Sequence, residues 1–179
     1  MAPTNNNTTW VTPRTWAAGE LVTASIMNAH VRDNLNALKT TAGGYNVLNI
    51  GADVQTTSTS FVDMDATNLI LTFTTAGGDV ILFFSGSVNG GAIAQSTFID
   101  IHESVAGTRL GGDDGLLQIV HATALQVIPV TLCYRATGLS AASHAFKMQW
   151  KVASGTATLY AGAGTATHDL HPSFFAFEI

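Results

Sequence analysis

The sequence predicts an all-β fold: an antiparallel β-sandwich preceded by an extended arm and one short α-helix. From Tyr45 onward, short runs alternate between apolar and polar residues, and turns rich in Gly, Ser and Asn separate most of them. No helix-length pattern interrupts these runs, so about eight strands suit a sandwich better than an α/β sheet. We predict an attachment arm and helix in residues 1–44 and the sandwich in residues 45–179.

Residues 1–22 are predicted to form the arm, because Pro3, Pro13 and neighbouring Asn and Gly residues oppose regular structure. Trp10 and Trp16 lie in this polar segment, which has no core of its own to bury two indole rings. We therefore predict that both tryptophans dock either on the following helix or on a neighbouring protein.

The helix is predicted over residues 23–39, with Thr23 as its N-cap and Gly43–Gly44 as its stop. Asn28 and Asn34 flank its apolar stripe. Two alternatives are open for them: burial, where they would fix the register of a helical bundle, or exposure to solvent. The stripe consists of Ala24, Met27, Val31, Leu35 and Leu38. Because a short helix with a narrow stripe is marginally stable alone, it needs its own domain, copies of itself or another protein as a partner.

The strands of the sandwich are predicted from period-two alternation and from apolar runs bounded by turns. The segments are 69–74, 80–85, 98–102, 116–121, 125–135, 144–152, 156–160 and 173–179. Turns are predicted at 76–79 and 89–91. Residues 111–115 are expected to form a hairpin turn and not a calcium loop, because they lack a spaced series of carboxylates.

Charged residues make up only 11% of the chain, against about 25% in typical domains. The mean hydropathy is +0.27 and the net charge is −5. There is no basic stripe for nucleic acid, no polybasic patch for anionic lipid, and no apolar run long enough for membrane insertion. Low charge favours a protein that hides much of its surface in an assembly.

Cys133 is the only cysteine, so the chain cannot form an internal disulfide or a thiolate metal cluster. Its apolar neighbours favour a buried inert thiol over a nucleophile. The stretch from Met1 to Trp10 is polar and unlike a signal peptide, so we expect synthesis in a cytoplasm.

Two groups of polar residues are candidates for chemistry. His168 and His171 are three residues apart, but they lie in a loop that does not define metal geometry. Asp63 and Asp65 stand two apart on a predicted strand and so face the same side, as paired glycosidase carboxylates do, but a solvated face explains them better.

Asp100 and His102 share one face of a strand, with Ile99 and Ile101 on the other, and are expected to lie on an exposed polar face. With no credible catalytic constellation, we predict no enzyme activity, no cofactor and no metal.

Residues 15–35 resemble a segment found at the N-terminus of many structural proteins of tailed phages and prophages. The matching residues have the form Trp–x–x–Gly–Glu–x–Val–Thr–Ala, from Trp16 to Ala24, followed by Asn–x–His–x–Arg–Asp–Asn–Leu, from Asn28 to Leu35. In such proteins this segment precedes a variable C-terminal module. The resemblance therefore implies a role in attachment or trimerisation.

Residues 138–152 and 173–179 are similar to the closing strands of phage fibre tips and appendage heads. They also resemble, less closely, the jelly roll of the tumour-necrosis-factor and C1q-like domains, whose aromatic last strand lies at a trimer axis. The resemblance implies a trimer with Phe175 and Phe177 near its axis. It covers residues 85–135 poorly.

The function predicted from these features is that of a homotrimeric virion module, a decoration, appendage or tail-fibre tip protein. It would be fixed to other virion proteins through Trp10, Trp16 and the helix stripe, with its β-domain displayed for particle stability or for adhesion to a host surface glycan or protein. The alternative is a carbohydrate-binding, lectin-like module, which needs exposed aromatics. Tyr160 and Trp150 are candidates for them, although the pattern around Trp150 indicates core.

Overall fold

The computed structural model describes residues 11–12, 14–35, 42–164, 166 and 168–179. The chain divides into two compact units, Met1–Thr41 and Ala42–Ile179. Within the described residues, no helix has the length and apolar character needed to cross a membrane.

The first unit contains a short helical segment. An α-helical turn, α1 (Ala24–Met27), begins after Thr23, whose Oγ1 accepts a hydrogen bond from Ile26 N at 3.3 Å. The predicted N-cap is thus confirmed. The prediction of a single α-helix over residues 23–39 is corrected, because a π-helical segment (Asn28–Asp33) replaces the α-helical hydrogen-bonding pattern after Met27.

The second unit is an antiparallel β-sandwich. Its strands are β1 (Gly43–Val47), β2 (Val54–Thr56), β3 (Val62–Asp63), β4 (Ile70–Thr74), β5 (Gly78–Gly90), β6 (Ser96–Glu103), β7 (Thr108–Arg109), β8 (Leu117–Val120), β9 (Val127–Leu139), β10 (Ser143–Val152), β11 (Ala157–Leu159) and β12 (Ser173–Glu178). All eight predicted strands are present. The short strands β2, β3 and β7 were missed, and the residues predicted to stop the helix, Gly43–Gly44, instead begin β1.

Each sheet is built around one long strand. In sheet A, β5 pairs with β9 along one edge and with β12 and then β11 along the other. β1 pairs with the outer edge of β12, and β2 pairs with the outer edge of β11. In sheet B, β10 pairs with β4 and β3 along one edge and with β6 along the other, while β7 and β8 pair outside β6. The predicted turn at 89–91 is displaced, because β5 continues through Gly90.

The order of the longer strands is β1–β12–β5–β9 in sheet A and β4–β10–β6–β8 in sheet B. The first strand pairs with the last, and the chain crosses between the sheets at β2 to β3, β4 to β5, β5 to β6, β8 to β9, β9 to β10 and β10 to β11. Eight antiparallel strands connected in this way form a jelly roll. The predicted antiparallel jelly-roll sandwich is therefore confirmed.

The core lies between the two sheets. Its largest fully buried side chains include Phe84 and Phe174 from sheet A and Phe146 and Trp150 from sheet B. Burial of each such side chain stabilises the fold by roughly 1.5–3 kcal/mol. The expectation that Trp150 belongs to the core is confirmed.

Candidate functional site

An aromatic cluster covers the outer face of sheet A. Phe175 in β12 lies directly opposite Tyr45 in β1 and Phe83 in β5, so the three side chains project from the same face. The rings of Phe83 and Phe175 stack with centroids 4.8 Å apart, and Phe177 stacks on Phe175 at 6.5 Å. We call the residues Tyr45, Val47, Phe83, Phe175 and Phe177 the aromatic face.

The period-two alternation of β12 explains why these aromatics lie outside. Phe174 and Ala176 point into the sandwich and are buried, so Phe175 and Phe177 point away from it. Tyr45 is 65% exposed and Phe177 is 41% exposed. Neighbouring apolar side chains on one sheet face form a patch of the kind that marks interaction sites.

Cys133 belongs to this same outer face, opposite Phe83 across the β5–β9 ladder. It is exposed, so the prediction of a buried thiol is wrong. In the apolar run of β9, Leu132 takes the core position and Cys133 takes the next, outward one.

A polar border lies beside the aromatic face at the end of β9. Arg135 Nε donates a hydrogen bond to Asp79 Oδ2 at 2.7 Å, and Gly138 N donates to Asp79 Oδ1 at 3.0 Å. The hydrogen bond from Gly138, followed by that from Arg135, lowers the pKa of Asp79. An apolar centre with a polar rim is the usual anatomy of a protein interface.

The predicted attachment residues of the first unit are partly described. Trp10 and Leu38 lie outside the described residues. Trp16 is 44% exposed, with Arg14 over its ring at 5.2 Å and His30 edge-on at 6.4 Å. The helix-stripe residues Met27, Val31 and Leu35 are exposed.

Asn34 ties the arm to the helical segment of the same unit. Its Oδ1 accepts from Val11 N at 2.8 Å, and its Nδ2 donates to Val11 O at 2.9 Å. Asn34 is buried and Asn28 is exposed. The sequence had left open whether each asparagine is buried or exposed to solvent.

The carboxylates and histidines proposed for chemistry hold turns and side chains in place. Asp63 Oδ1 accepts from Gln149 Nε2 at 2.8 Å, and Asp65 Oδ1 accepts from the backbone nitrogens of the turn that follows it. His171 Nε2 lies 3.5 Å from Asp169 Oδ1, and His168 stacks on Tyr160. Among the described residues, no group of three or more His, Cys, Asp or Glu side chains is placed to hold a metal ion.

Asp100 is fully buried, which corrects the prediction of an exposed polar face. The connection after β7 folds over it, and Gly111 N donates to Asp100 Oδ1 at 2.9 Å. Burial raises the pKa of Asp100 despite this hydrogen bond and the one from Ile101 N. The residues predicted as a hairpin turn instead form a 3₁₀ turn (Gly112–Asp114) between β7 and β8, which both pair with β6.

The aromatic residues considered for a lectin site are buried. Tyr160 is 5% exposed and its hydroxyl accepts a hydrogen bond from Asn89 Nδ2 at 3.1 Å, while Trp150 is 1% exposed. Neither ring is available to stack on a sugar.

No protein-family model matches the chain, and no curated protein sequence matches it either. Among solved structures, it is similar to the globular domain of zebrafish complement 1qA, at 13% identity and a TM-score of 0.44 over 78% of this chain and 98% of that one. It is also similar to Eiger TNF from S. frugiperda, at 10% identity and a TM-score of 0.42 over 78% and 92%. A third similarity is to the enzymatically active domain of tailspike protein 4 of bacteriophage CBA120, at 9% identity and a TM-score of 0.24 over 73% and 19%. None of these similarities assigns a function to the chain.

Proposed function

We propose that this chain is a non-enzymatic structural protein of a tailed-phage virion, which forms a homotrimer through the aromatic face of its sandwich. The observation that carries the proposal is the exposure of Tyr45 and Phe177 beside the stacked pair Phe83 and Phe175. Water contact with this face is unfavourable by about 25 cal/mol for each Å² of apolar surface. Association of copies removes that contact.

A trimer is preferred to a dimer because of the sequence resemblance to jelly rolls whose aromatic last strand lies at a trimer axis. A closed three-fold arrangement places the same strand of each copy around the axis, so that Phe175 and Phe177 meet their counterparts. The polar border formed by Arg135 and Asp79 then lies at the rim of the interface.

Attachment is assigned to the first unit. One support is its resemblance to the N-terminal segment of phage structural proteins. The other is the exposure of Trp16, Met27, Val31 and Leu35, which offer apolar surface to another virion protein. The sandwich would then be displayed for particle stabilisation or host adhesion, on a virion assembled in the host cytoplasm.

The interface is tested by comparing two serine substitutions in sedimentation equilibrium. Phe177→Ser removes an aromatic anchor from each copy, and we expect it to weaken association by at least tenfold. The matched control is Val120→Ser, which changes a comparably exposed apolar residue on sheet B. Equal association of both variants and the unmodified protein would refute the assigned interface.

Attachment is tested by deleting residues 1–22 and measuring incorporation into particles. The shortened protein is expected to keep its thermal unfolding transition but to be lost from purified virions. If it still decorates the particle, the docking role is wrong. If it fails to fold, the tryptophans belong to the core of this chain. Trp16→Ala is the milder variant, expected to weaken attachment by about 2–4 kcal/mol at unchanged stability.

A further inference from the structure

A polar groove with a volume of about 480 Å³ opens on the outer face of sheet B. Its walls include Phe61, His102, Thr108, Arg109, Gly112 and Gln149. His102 and Gln149 stand on the long strands β6 and β10, so the floor of the groove is rigid. This volume lies within the range of small-molecule binding sites in proteins.

Arg109 is held in a fixed orientation at the groove. Its guanidinium lies over the ring of Phe61 at 4.6 Å, and its Nε donates to Gly112 O at 3.3 Å. Among the described residues, neither terminal nitrogen makes a hydrogen bond; Nη2 lies 3.9 Å from Asp113 Oδ1, beyond hydrogen-bond distance. A planar fork of donors therefore remains available to a ligand.

Gln149 and Thr108 add further hydrogen-bonding capacity. Gln149 uses its Nε2 to donate to Asp63 Oδ1, which leaves its Oε1 as an acceptor with no hydrogen bond in the described part of the chain. The hydroxyl of Thr108 likewise has no partner there. Below them, two buried atoms lack hydrogen-bond partners within the described residues, Asp100 Oδ2 and His102 Nδ1.

The cations around the groove are all paired with carboxylates. Arg109 Nε lies 3.6 Å from Asp100 Oδ2, Lys151 Nζ lies 3.6 Å from Asp114 Oδ1, and Lys147 Nζ lies 3.4 Å from Asp63 Oδ2. Because each cation already has a carboxylate beside it, the groove has no excess positive charge to attract phosphates or polyanions. It favours a neutral ligand that both donates and accepts hydrogen bonds.

We propose that this groove binds a neutral saccharide. A hydroxyl group both donates and accepts hydrogen bonds, so the hydroxyls of a sugar ring offer partners to the fork of Arg109, the Oε1 of Gln149 and the hydroxyl of Thr108, which line the same groove. The groove lies within one protomer and on the sheet opposite the aromatic face. Saccharide binding in this groove therefore does not depend on the proposed trimer.

Saturation-transfer NMR on the full chain tests the proposal. The probes are the methyl glycosides of glucose, galactose, mannose and N-acetylglucosamine at millimolar concentration, with glucuronate as a charged probe and inorganic phosphate as a competitor. We expect transfer to at least one neutral glycoside, undiminished by phosphate. Transfer to none of the four, transfer to glucuronate alone, or displacement by phosphate would overturn the proposal.

Variants locate the binding. Arg109→Lys keeps the positive charge but loses the planar fork of donors. Gln149→Met keeps the size of the side chain but loses its Oε1 acceptor. Each substitution should reduce the saturation transfer to the glycoside at least tenfold. Gln118→Met changes an exposed glutamine of β8 on the same sheet and should leave the signal unchanged. If Arg109→Lys fails to fold, Gln149→Met decides the outcome. Retained binding by Gln149→Met, or loss in Gln118→Met, would contradict the assigned site.

Discussion

Glu103 and His144 form a buried pair within sheet B. His144 Nδ1 lies 2.8 Å from Glu103 Oε1, and its Nε2 lies 3.0 Å from Ser140 O. Both ring nitrogens face acceptors, an arrangement that only the protonated imidazolium satisfies fully. Burial lowers the pKa of His144, but Ser140 O and the Glu103 carboxylate outweigh it, so the net pKa is raised. Burial raises the pKa of Glu103, but hydrogen bonds from Ala106 N, His144 and Val105 N outweigh it and lower the net pKa.

These directions predict a pH window for stability. The raised pKa of His144 contributes stability that is present below its ordinary value of 6.5 and is lost as pH rises through the folded-state pKa. The lowered pKa of Glu103 contributes stability that is present above 4.5 and is lost as pH falls through its folded-state pKa. The pair therefore stabilises most between these two values.

His144→Gln is the substitution that isolates this pair. We expect it to lower the free energy of unfolding by about 1–3 kcal/mol between pH 4.5 and 6.5, and by less at higher pH, because a neutral amide cannot replace the ion pair. Denaturant unfolding at several pH values measures the difference. His171→Gln, at an exposed loop residue, should stay within about 0.5 kcal/mol of the unmodified protein. A constant deficit across the pH range would refute the ion-pair explanation.

Cys133 provides a chemical probe of the same surface that the proposed trimer covers. Its thiol is exposed in the protomer and lies opposite Phe83. We predict that alkylation of this thiol is at least tenfold slower in the assembled protein than at dilutions where the protomers separate. Equal rates in the two states would contradict burial of the part of sheet A's outer face that carries Cys133.

The connection from β7 through the 3₁₀ turn to β8 is the element that shapes the sheet B groove. It closes over Asp100 and returns to sheet B where Leu116 N donates to Ile99 O at 2.9 Å. Gly115, the residue before Leu116, has a φ of +74, and a Cβ added to it would lie 2.7 Å from Ile99 O. Gly112 has a similar φ of +71 but open space around the added atom. The connection thus depends on close backbone approaches, of which the one at Gly115 fixes it to β6.

The two glycines supply a matched pair of substitutions. Both alanine variants force an L residue to a positive φ, which costs about 1 kcal/mol or more. Gly115 also has a ψ of −172, a combination that is essentially limited to glycine, so its backbone strain adds to the difference between the two variants. Gly115→Ala adds a collision with the Ile99 carbonyl, and we expect it to destabilise the sandwich by about 2 kcal/mol more than Gly112→Ala. Urea unfolding measures both values. Equal destabilisation would show that the connection is not fixed by this approach.

Period-two alternation predicted the longer strands well, because each buries one face against the same core. Short strands such as β2 and β7 carry too few residues for a pattern and depend on tertiary pairing instead. The helix prediction failed for a related reason, since nothing in the apolar spacing distinguishes α-helical from π-helical hydrogen bonding after Met27.

At the scale of the whole molecule, the order of the strands determines which surfaces exist. The pairing of β1 with β12 and of β12 with β5 brings together residues of the aromatic face that are far apart in the sequence, such as Tyr45 and Phe175. The resemblance to trimeric jelly rolls singled out Phe175 and Phe177, but the sequence could not place Tyr45, Phe83 or Cys133 beside them, because cross-strand neighbours follow from register. The sheet B groove was missed for the same reason: its residues come from four separate segments.

The central claim is that the aromatic face is covered by two further copies of this chain. Native mass spectrometry of the full chain at micromolar concentration tests it most directly. The claim predicts a dominant species of three times the 18.7 kDa of one chain, with no free monomer in excess. A dominant species at the mass of one chain, or of two, would contradict it.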